Sequence, residues 1–205
     1  MLQGQTRVST FSRQALASVF DSQRTLLPDV TLRLADWACH APQTIAPRIW
    51  DATAAMADRM AYWARRRWAV ETRDDLDAYT FGVAGAVGIL LCDLWAWFDG
   101  GEMDRENAVI FGRGLQLVNI LRNRAEDLAR GADFYPAGWG DPEMRAYAYE
   151  NLRQVQEFAH DMPASPFAFL IRIPLTLAIA TLEALERGEG KLSRAAVLRL
   201  LQFDA

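Results

Sequence analysis

A set of polar residues between positions 112 and 130 has types and spacing that could build one wall of a polar pocket. On a helix that turns 100° per residue, they fall within an arc of roughly 100°: Gly112, Gln116, Asn119, Asn123, Glu126, Asp127 and Arg130. We call this set the polar stripe. The opposite side is apolar and carries Leu117, Val118, Leu121, Ala125 and Leu128. A solvent face normally carries more Lys and Glu than these amides and carboxylates. The stripe is therefore predicted to face a pocket, and a polar face in water is the alternative.

A second segment, Tyr79 to Gly88 (YTFGVAGAVG), carries three glycines inside an apolar helical pattern. Glycine in a helix interior costs about 1 kcal/mol relative to alanine. Something is therefore expected to come close to the backbone of this glycine segment. Tight packing against another helix and approach of a ligand are both compatible with the pattern.

The elements that must position these two segments are helices, because the hydrophobic period is helical almost throughout the chain. The sequence contains no convincing alternating strand and no hairpin signal. Prolines and glycines delimit predicted helices at residues 9–26, 29–40, 47–70, 74–98, 103–131, 142–161, 166–187 and 193–203. The prediction is an all-α bundle that forms a single domain over residues 1–205.

Composition limits the classes of function and the location of the protein. A net charge of -4 and a pI near 5.3 give no overall cationic field for a phosphate backbone, so nucleic-acid binding is not expected. Two isolated cysteines, Cys39 and Cys92, fit a reducing compartment. The N-terminus has no secretory signal pattern, and Arg172 and Pro174 interrupt the longest apolar stretch, Phe167 to Leu182. A cytoplasmic location is predicted, with peripheral membrane contact left open.

The glycine segment and the helix that carries the polar stripe together resemble the squalene/phytoene synthase family, all-helical enzymes that join two prenyl diphosphates head to head. YTFGVAGAVG is similar to the family's Tyr-Cys-x-x-Val-Ala-Gly-x-Val-Gly segment. GRGLQLVNILRNRAEDLARGADFYP, residues 112–136, is similar to Gly-x-x-x-Gln-x-x-Asn-Ile-Leu-Arg-Asp-x-x-x-Asp with the trailing Arg-x-Tyr-x-Pro. The resemblance covers residues 51–194 and implies a helical bundle of the isoprenoid synthase type.

The resemblance also implies a mechanism and a set of site residues. Ionising an allylic diphosphate needs Mg²⁺ ions that neutralise the leaving pyrophosphate, and Mg²⁺ prefers carboxylate oxygens. Asp127 and Asn123 are carried over as the catalytic and metal-binding pair of the second acidic motif. The residues carried over to substrate binding are Tyr79, Gly82, Val83, Gln116, Asn119 and Arg130.

The sequence departs from the family pattern at several of these positions. Asn123 stands where the family has the first aspartate of the second motif, and an amide brings no negative charge, so Mg²⁺ affinity is expected to drop. Ala132 and Phe134 replace the arginine and tyrosine before Pro136. The first aspartate-rich motif is expected upstream of the chain, which is predicted to begin just after it. Asp29 and Asp36, seven residues apart, are expected to be ordinary surface carboxylates, and a substitute pair is the alternative.

Three interpretations follow from this pattern. We favour a divergent family member that handles an isoprenoid (prenyl diphosphate) ligand, with the two-metal head-to-head condensation impaired. An active Mg²⁺-dependent prenyl diphosphate transferase with a reduced metal site is the first alternative. A non-catalytic helical binding or assembly protein is the second. A protein partner or a homo-oligomer is left open.

Overall fold

The computed structural model describes residues 24–162, 165–190 and 192–202. The helices are α1 (Asp29–Leu32), α2 (Leu34–Ala38), α3 (Ala46–Arg65), α4 (Arg73–Thr80), α5 (Ala86–Asp99), α6 (Arg105–Ala129), α7 (Asp141–Asp161), α8 (Pro166–Glu186) and α9 (Arg194–Gln202). A π-helical segment, Phe81–Gly85, joins α4 to α5. The described residues contain no strand, which confirms the all-α prediction. The chain divides into two compact units, Met1–Thr53 and Ala54–Ala205, and the single-domain organisation stays a prediction.

The observed helix boundaries differ from the predicted ones in three places. The predicted helix over 29–40 is split into α1 and α2 at Arg33. The predicted helix over 74–98 is interrupted by the π-helical segment, which contains Gly82 and Gly85. The predicted helix over 47–70 ends at Arg65. The predicted helix over 9–26 lies outside the described residues except for 24–26, which form turns.

Side-chain caps explain where the site-bearing helices begin. Thr72 Oγ1 accepts a hydrogen bond from Asp75 N at 3.0 Å, and the Asp75 carboxylate accepts one from Thr72 N at 3.1 Å. This capping box satisfies backbone donors at the start of α4. The Asp104 carboxylate does the same at the start of α6, where it accepts from Glu106 N at 2.9 Å and Asn107 N at 3.1 Å. Asp75 therefore serves the start of α4.

Helix α6 is the centre of the second unit and packs against α4, the π-helical segment, α5, α7 and α8. Its inward side buries Leu117 and Ile120, which join Leu76, Met144 and Leu152 in one hydrophobic core. Burying a large aliphatic side chain contributes about 1.5–3 kcal/mol. The orientation of α6 about its own axis is consequently fixed by this core.

The glycines of the glycine segment and of α6 allow the two helices to touch backbone to backbone. A Cβ placed on Gly112 would lie 2.7 Å from Ala84 C and 2.9 Å from Gly85 N. A Cβ on Gly88 would lie 2.7 Å from Ala108 C. Of the two explanations for the glycine segment, the structure supports tight helix packing at Gly85, Gly88 and Gly112.

Two helical stretches are long and apolar enough to cross a membrane by length and composition. They are Arg73–Asp99, with a mean hydropathy of 1.7, and Phe167–Glu186, with a mean hydropathy of 1.8. Helix α8 continues through Arg172 and Pro174, as the predicted helix over 166–187 does, and the second stretch meets this criterion although it contains both residues. The Arg172 guanidinium donates to Ala159 O and Met162 O, which offsets part of the cost of placing it there.

The close contact at Gly112 gives a test of the packing. Gly112→Ala should lower the free energy of unfolding by about 1–3 kcal/mol, because the new methyl group meets backbone atoms that cannot move aside. Gly82→Ala is the matched control, since its Cβ would meet the flexible Arg59 side chain at 3.1 Å. Urea denaturation of both variants is the measurement. Equal losses in the two variants would contradict the packing argument.

Candidate functional site: a pocket along helix α6

A pocket of about 340 Å³ runs along α6, and we call it the α6 pocket. Its wall combines polar and apolar side chains: Met60, Trp68, Tyr79, Gln116, Asn119, Ile120, Asn123, Asp127, Arg130, Ala132 and Phe134. Helix α6 supplies the polar side. Most of the apolar side comes from α3, from α4 and from three residues outside the helices, Trp68, Ala132 and Phe134. The polar stripe therefore lines a pocket, although Glu126 at its edge is exposed.

The structure brings six of the eight predicted site residues to this pocket. They are Tyr79, Gln116, Asn119, Asn123, Asp127 and Arg130. Gly82 and Val83 do not line it. A Cβ on Gly82 would face the Arg59 side chain, and Val83 packs against the hydrophobic core. The predicted substrate-binding role of these two residues therefore has no support from the pocket's geometry, because both are engaged in packing.

Asp127 is the single carboxylate among the described residues that line the α6 pocket. It is 7% exposed and pairs with the Arg130 guanidinium one turn later on the chain. The Arg130 side chain is 72% exposed, so this cation lies at the mouth of the pocket. A buried carboxylate needs such a partner, because an uncompensated charge out of water is costly.

The two asparagines of the polar stripe are tied together by Arg122. Arg122 Nη2 donates to Asn119 Oδ1 at 2.7 Å, and Arg122 Nε donates to Asn123 Oδ1 at 3.3 Å. Asn123 Nδ2 also donates to Asn119 Oδ1, at 3.0 Å. The amide oxygens of Asn119 and Asn123 therefore already accept hydrogen bonds from a guanidinium.

Tyr79 lies in an aromatic cluster at the apolar side of the pocket. Its ring stacks on Phe134 at 4.5 Å between centroids and meets Trp63 edge-on at 5.6 Å. Burial raises the pKa of Tyr79 to about 12; the nearby charge of Asp127 adds to the shift, and the hydrogen bond with Gln116 opposes it. The phenol consequently stays protonated at neutral pH and can donate its O–H.

Trp68 reaches the pocket wall through an unusual backbone turn that ends α3 early. Arg67 and Trp68 both have positive φ, 55° and 60°, and this conformation costs a non-glycine residue roughly 1–2 kcal/mol. Trp68 N donates to Trp63 O at 2.9 Å, which closes the turn. Helical periodicity carries no signal for such a turn, so Trp68 was not predicted as a site residue, and neither were Met60 and Ile120.

The residues of the α6 pocket do not fit a Mg²⁺ site. Mg²⁺ takes about six oxygen ligands, usually with carboxylates among them. Among the described residues there is no group of three or more His, Cys, Asp or Glu side chains that could hold a metal ion. Asp127 is paired with Arg130, and the oxygens of Asn119 and Asn123 accept from Arg122.

Two of the upstream carboxylates, Asp36 and Asp77, have partners of their own. Asp36 pairs with Arg33 at 3.3 Å on an exposed surface, and Asp29 lies in the first turn of α1. Asp77 accepts a hydrogen bond from Tyr147 Oη at 2.5 Å. A metal-binding role for Asp29 and Asp36 stays an untested prediction.

The partnership of Asp127 and Arg130 predicts an asymmetry between two variants. Arg130→Gln leaves a buried carboxylate without its cation and should lower the free energy of unfolding by about 1–3 kcal/mol. Asp127→Asn should cost less, because it removes the buried charge and leaves Arg130 in water. Urea denaturation at neutral pH compares the two variants. An equal or larger loss in Asp127→Asn would show that the carboxylate does not depend on this pair.

The raised pKa of Tyr79 predicts that the protein loses stability at high pH. Its pKa is about 12 in the folded protein and near 10 in the unfolded chain, so its contribution is complete below pH 10 and is lost as the pH rises towards 12. The loss should reach at most about 2–3 kcal/mol. Tyr79→Phe should be less sensitive to pH in this range, measured by urea denaturation. Tyr135→Phe is the comparison, since the pKa of Tyr135 is also raised to about 12. If Tyr79→Phe is as sensitive to pH as the wild type, Tyr79 does not titrate as described.

Comparison with known proteins gives relatives among the phytoene and squalene synthases. A 15-cis-phytoene synthase of Enterobacter agglomerans is 32% identical over an alignment of 133 residues, and the match covers 58% of this chain and 44% of that protein. The squalene synthase of Schizosaccharomyces pombe is 30% identical over an alignment of 167 residues, and the match covers 66% of this chain and 36% of that protein. The chain spans less than half the length of these curated relatives.

A solved structure of TcSQS in complex with a ligand shares the fold. It superposes with a TM-score of 0.71 over 87% of this chain and 61% of that one, at 24% identity. This likeness supports the all-α isoprenoid synthase fold. The model of the squalene/phytoene synthase family matches residues 3–139, which is more than half of the 205 residues. The chain therefore belongs to the squalene/phytoene synthase family.

Proposed function

We propose that this protein is a divergent squalene/phytoene-synthase-like protein that handles a prenyl diphosphate ligand in the α6 pocket, with the two-metal head-to-head condensation impaired. One observation carries the proposal: the pocket retains a polar side for a head group and an apolar side for a chain, but it offers one carboxylate, already paired with an arginine. Its relatives include a squalene synthase and phytoene synthases.

The apolar side of the pocket suits an isoprenoid chain. Met60, Trp68, Ile120, Ala132 and Phe134 present methyl, methylene and aromatic groups. Ligand pockets of this kind are mostly apolar, with a few polar groups that fix orientation. Gln116 and the protonated Tyr79 would supply such groups where the chain meets the head.

The charge of the pocket supports impairment of the condensation. Departure of a diphosphate from an allylic carbon requires strong positive charge beside the leaving group to neutralise it. Mg²⁺ supplies this charge in metal-dependent enzymes. A site that held the ion would need several hard oxygen ligands, and the described pocket residues offer Asp127, already paired with Arg130, the oxygens of Asn119 and Asn123, already hydrogen-bonded to Arg122, and the amide of Gln116. The proposed protein therefore binds Mg²⁺ only weakly in this pocket.

The volume of the pocket also supports impairment of the head-to-head condensation. Pockets for single small ligands range from about 300 to 1,000 Å³, and this one has about 340 Å³. Two prenyl chains placed head to head need far more room than one. The described pocket accordingly suits one ligand.

An active transferase with a reduced metal site is the second candidate, because Asp127 lies on the pocket wall as catalysis would require. A cytoplasmic protein in peripheral contact with a membrane fits either candidate. The apolar stretches Arg73–Asp99 and Phe167–Glu186 favour such contact, although they are also expected of core helices.

Release of pyrophosphate distinguishes the two candidates. With Mg²⁺ and farnesyl or geranylgeranyl diphosphate, we expect no release above background from the wild type or from Asp127→Ala, while calorimetry should show saturable binding of one farnesyl diphosphate per chain. Circular dichroism confirms that both samples are folded. Release that depends on Asp127 would overturn the impairment and establish the transferase. Absence of any binding would overturn the isoprenoid role.

A further inference from the structure

Three oxygen-bearing side chains on the polar side of the α6 pocket are each held by an arginine. Asp127 pairs with Arg130, and Asn119 and Asn123 both accept from Arg122. Arg130 follows Asp127 by three residues on the chain, and Arg122 follows Asn119 by three. Side chains at this spacing are neighbours on one face of α6. The guanidinium groups consequently lie against the oxygens that a metal ion would need.

The same contacts leave both arginines able to bind a ligand. A guanidinium carries five N–H donors in a fixed plane. The contacts described use one nitrogen of Arg130 and two nitrogens of Arg122. Arg130 lines the pocket and its side chain is 72% exposed, while Arg122 is exposed beside the two asparagines. Arg130 thus offers its remaining donors on the pocket wall, and Arg122 offers its own beside Asn119 and Asn123, which line that wall.

The charges of this group favour an anion and oppose a divalent cation. Within this group Asp127 and Arg130 cancel each other, the asparagines are neutral, and Arg122 adds one positive charge. The Glu126 carboxylate, at the edge of the polar stripe, is exposed to water. Two guanidinium groups repel a nearby Mg²⁺. They attract phosphate oxygens, with which arginine forms paired, charge-assisted hydrogen bonds.

We propose that this protein binds the diphosphate head of its ligand directly through Arg130 and Arg122, without a divalent cation. Asp127 holds Arg130 in position, and Asn119 and Asn123 hold Arg122. The inference rests on the proposed isoprenoid role of the α6 pocket, and it assigns the recognition of the head group to this chain's own cations.

The test is calorimetric binding of farnesyl diphosphate and of farnesol to the full chain, each in EDTA and in Mg²⁺. We expect farnesyl diphosphate to bind with the same affinity, within twofold, in both buffers, and farnesol to bind at least tenfold more weakly. A hydrogen bond to a charged group is worth about 1.5–3 kcal/mol, or roughly ten- to a hundredfold in affinity. Because both arginines are exposed, the affinity for the diphosphate should also fall with added salt.

Variants locate the effect on the two arginines. Arg122→Gln should weaken farnesyl diphosphate at least tenfold and change farnesol less than threefold. The fold should tolerate this change, because Asn123 still donates to Asn119. Arg130→Gln should act in the same way if this variant folds. If it does not fold, Arg130→Lys, which keeps the positive charge, replaces it. Arg153→Gln is the matched control, since Arg153 is exposed on α7 outside the pocket wall and should leave both affinities unchanged.

The outcomes separate this inference from the proposed function. Binding of farnesyl diphosphate that requires Mg²⁺ would overturn the inference and leave the isoprenoid role intact. Equal affinities for farnesol and farnesyl diphosphate, or an Arg122→Gln variant with unchanged affinity for the diphosphate, would also overturn it. Failure of both ligands to bind would overturn the isoprenoid role itself.

Discussion

The backbone contact between the glycine segment and α6 is the constraint on which the α6 pocket depends. Gly112 lies against the backbone of Ala84 and Gly85, and Gly88 lies against Ala108. With the two helices this close, α6 can rotate little about its own axis. Leu117 and Ile120 then enter the core, and the polar stripe is directed into the pocket. A few ångströms of extra separation would remove both the tight packing and the orientation of the stripe.

The departures from the family pattern gather on the wall of this one pocket. Asn123, Ala132 and Phe134 stand where the family pattern has an aspartate, an arginine and a tyrosine, and all three line the α6 pocket. Changes spread over 12 positions of the chain thus meet at one place in space. Each replacement removes a charge or a hydroxyl group. The wall is less polar as a result, and Asp127 depends on Arg130 for its compensating charge.

The chemistry proposed for the pocket follows from this distribution of charge. A carboxylate that is buried and paired with an arginine is a poor ligand for an additional cation, because the arginine already neutralises it. The same arginine, exposed at the mouth, is well placed to meet an anionic head group. Retention of the fold and of a ligand pocket is therefore compatible with loss of the metal-dependent step.

Much of the architecture followed from the sequence, because helical periodicity, caps and helix-breaking residues act over a few neighbouring positions. The long helix that carries the polar stripe was predicted in this way, and it is confirmed. The family was predicted from the resemblance of two segments to its motifs, and it is also confirmed. Two other features depend on contacts between distant residues. Gly82 and Val83 pack away from the pocket, and Trp68 enters its wall through left-handed backbone. Sequence by itself determined which residues share a helix face. Tertiary structure decided which faces meet, since that depends on the fit of side chains far apart in the chain.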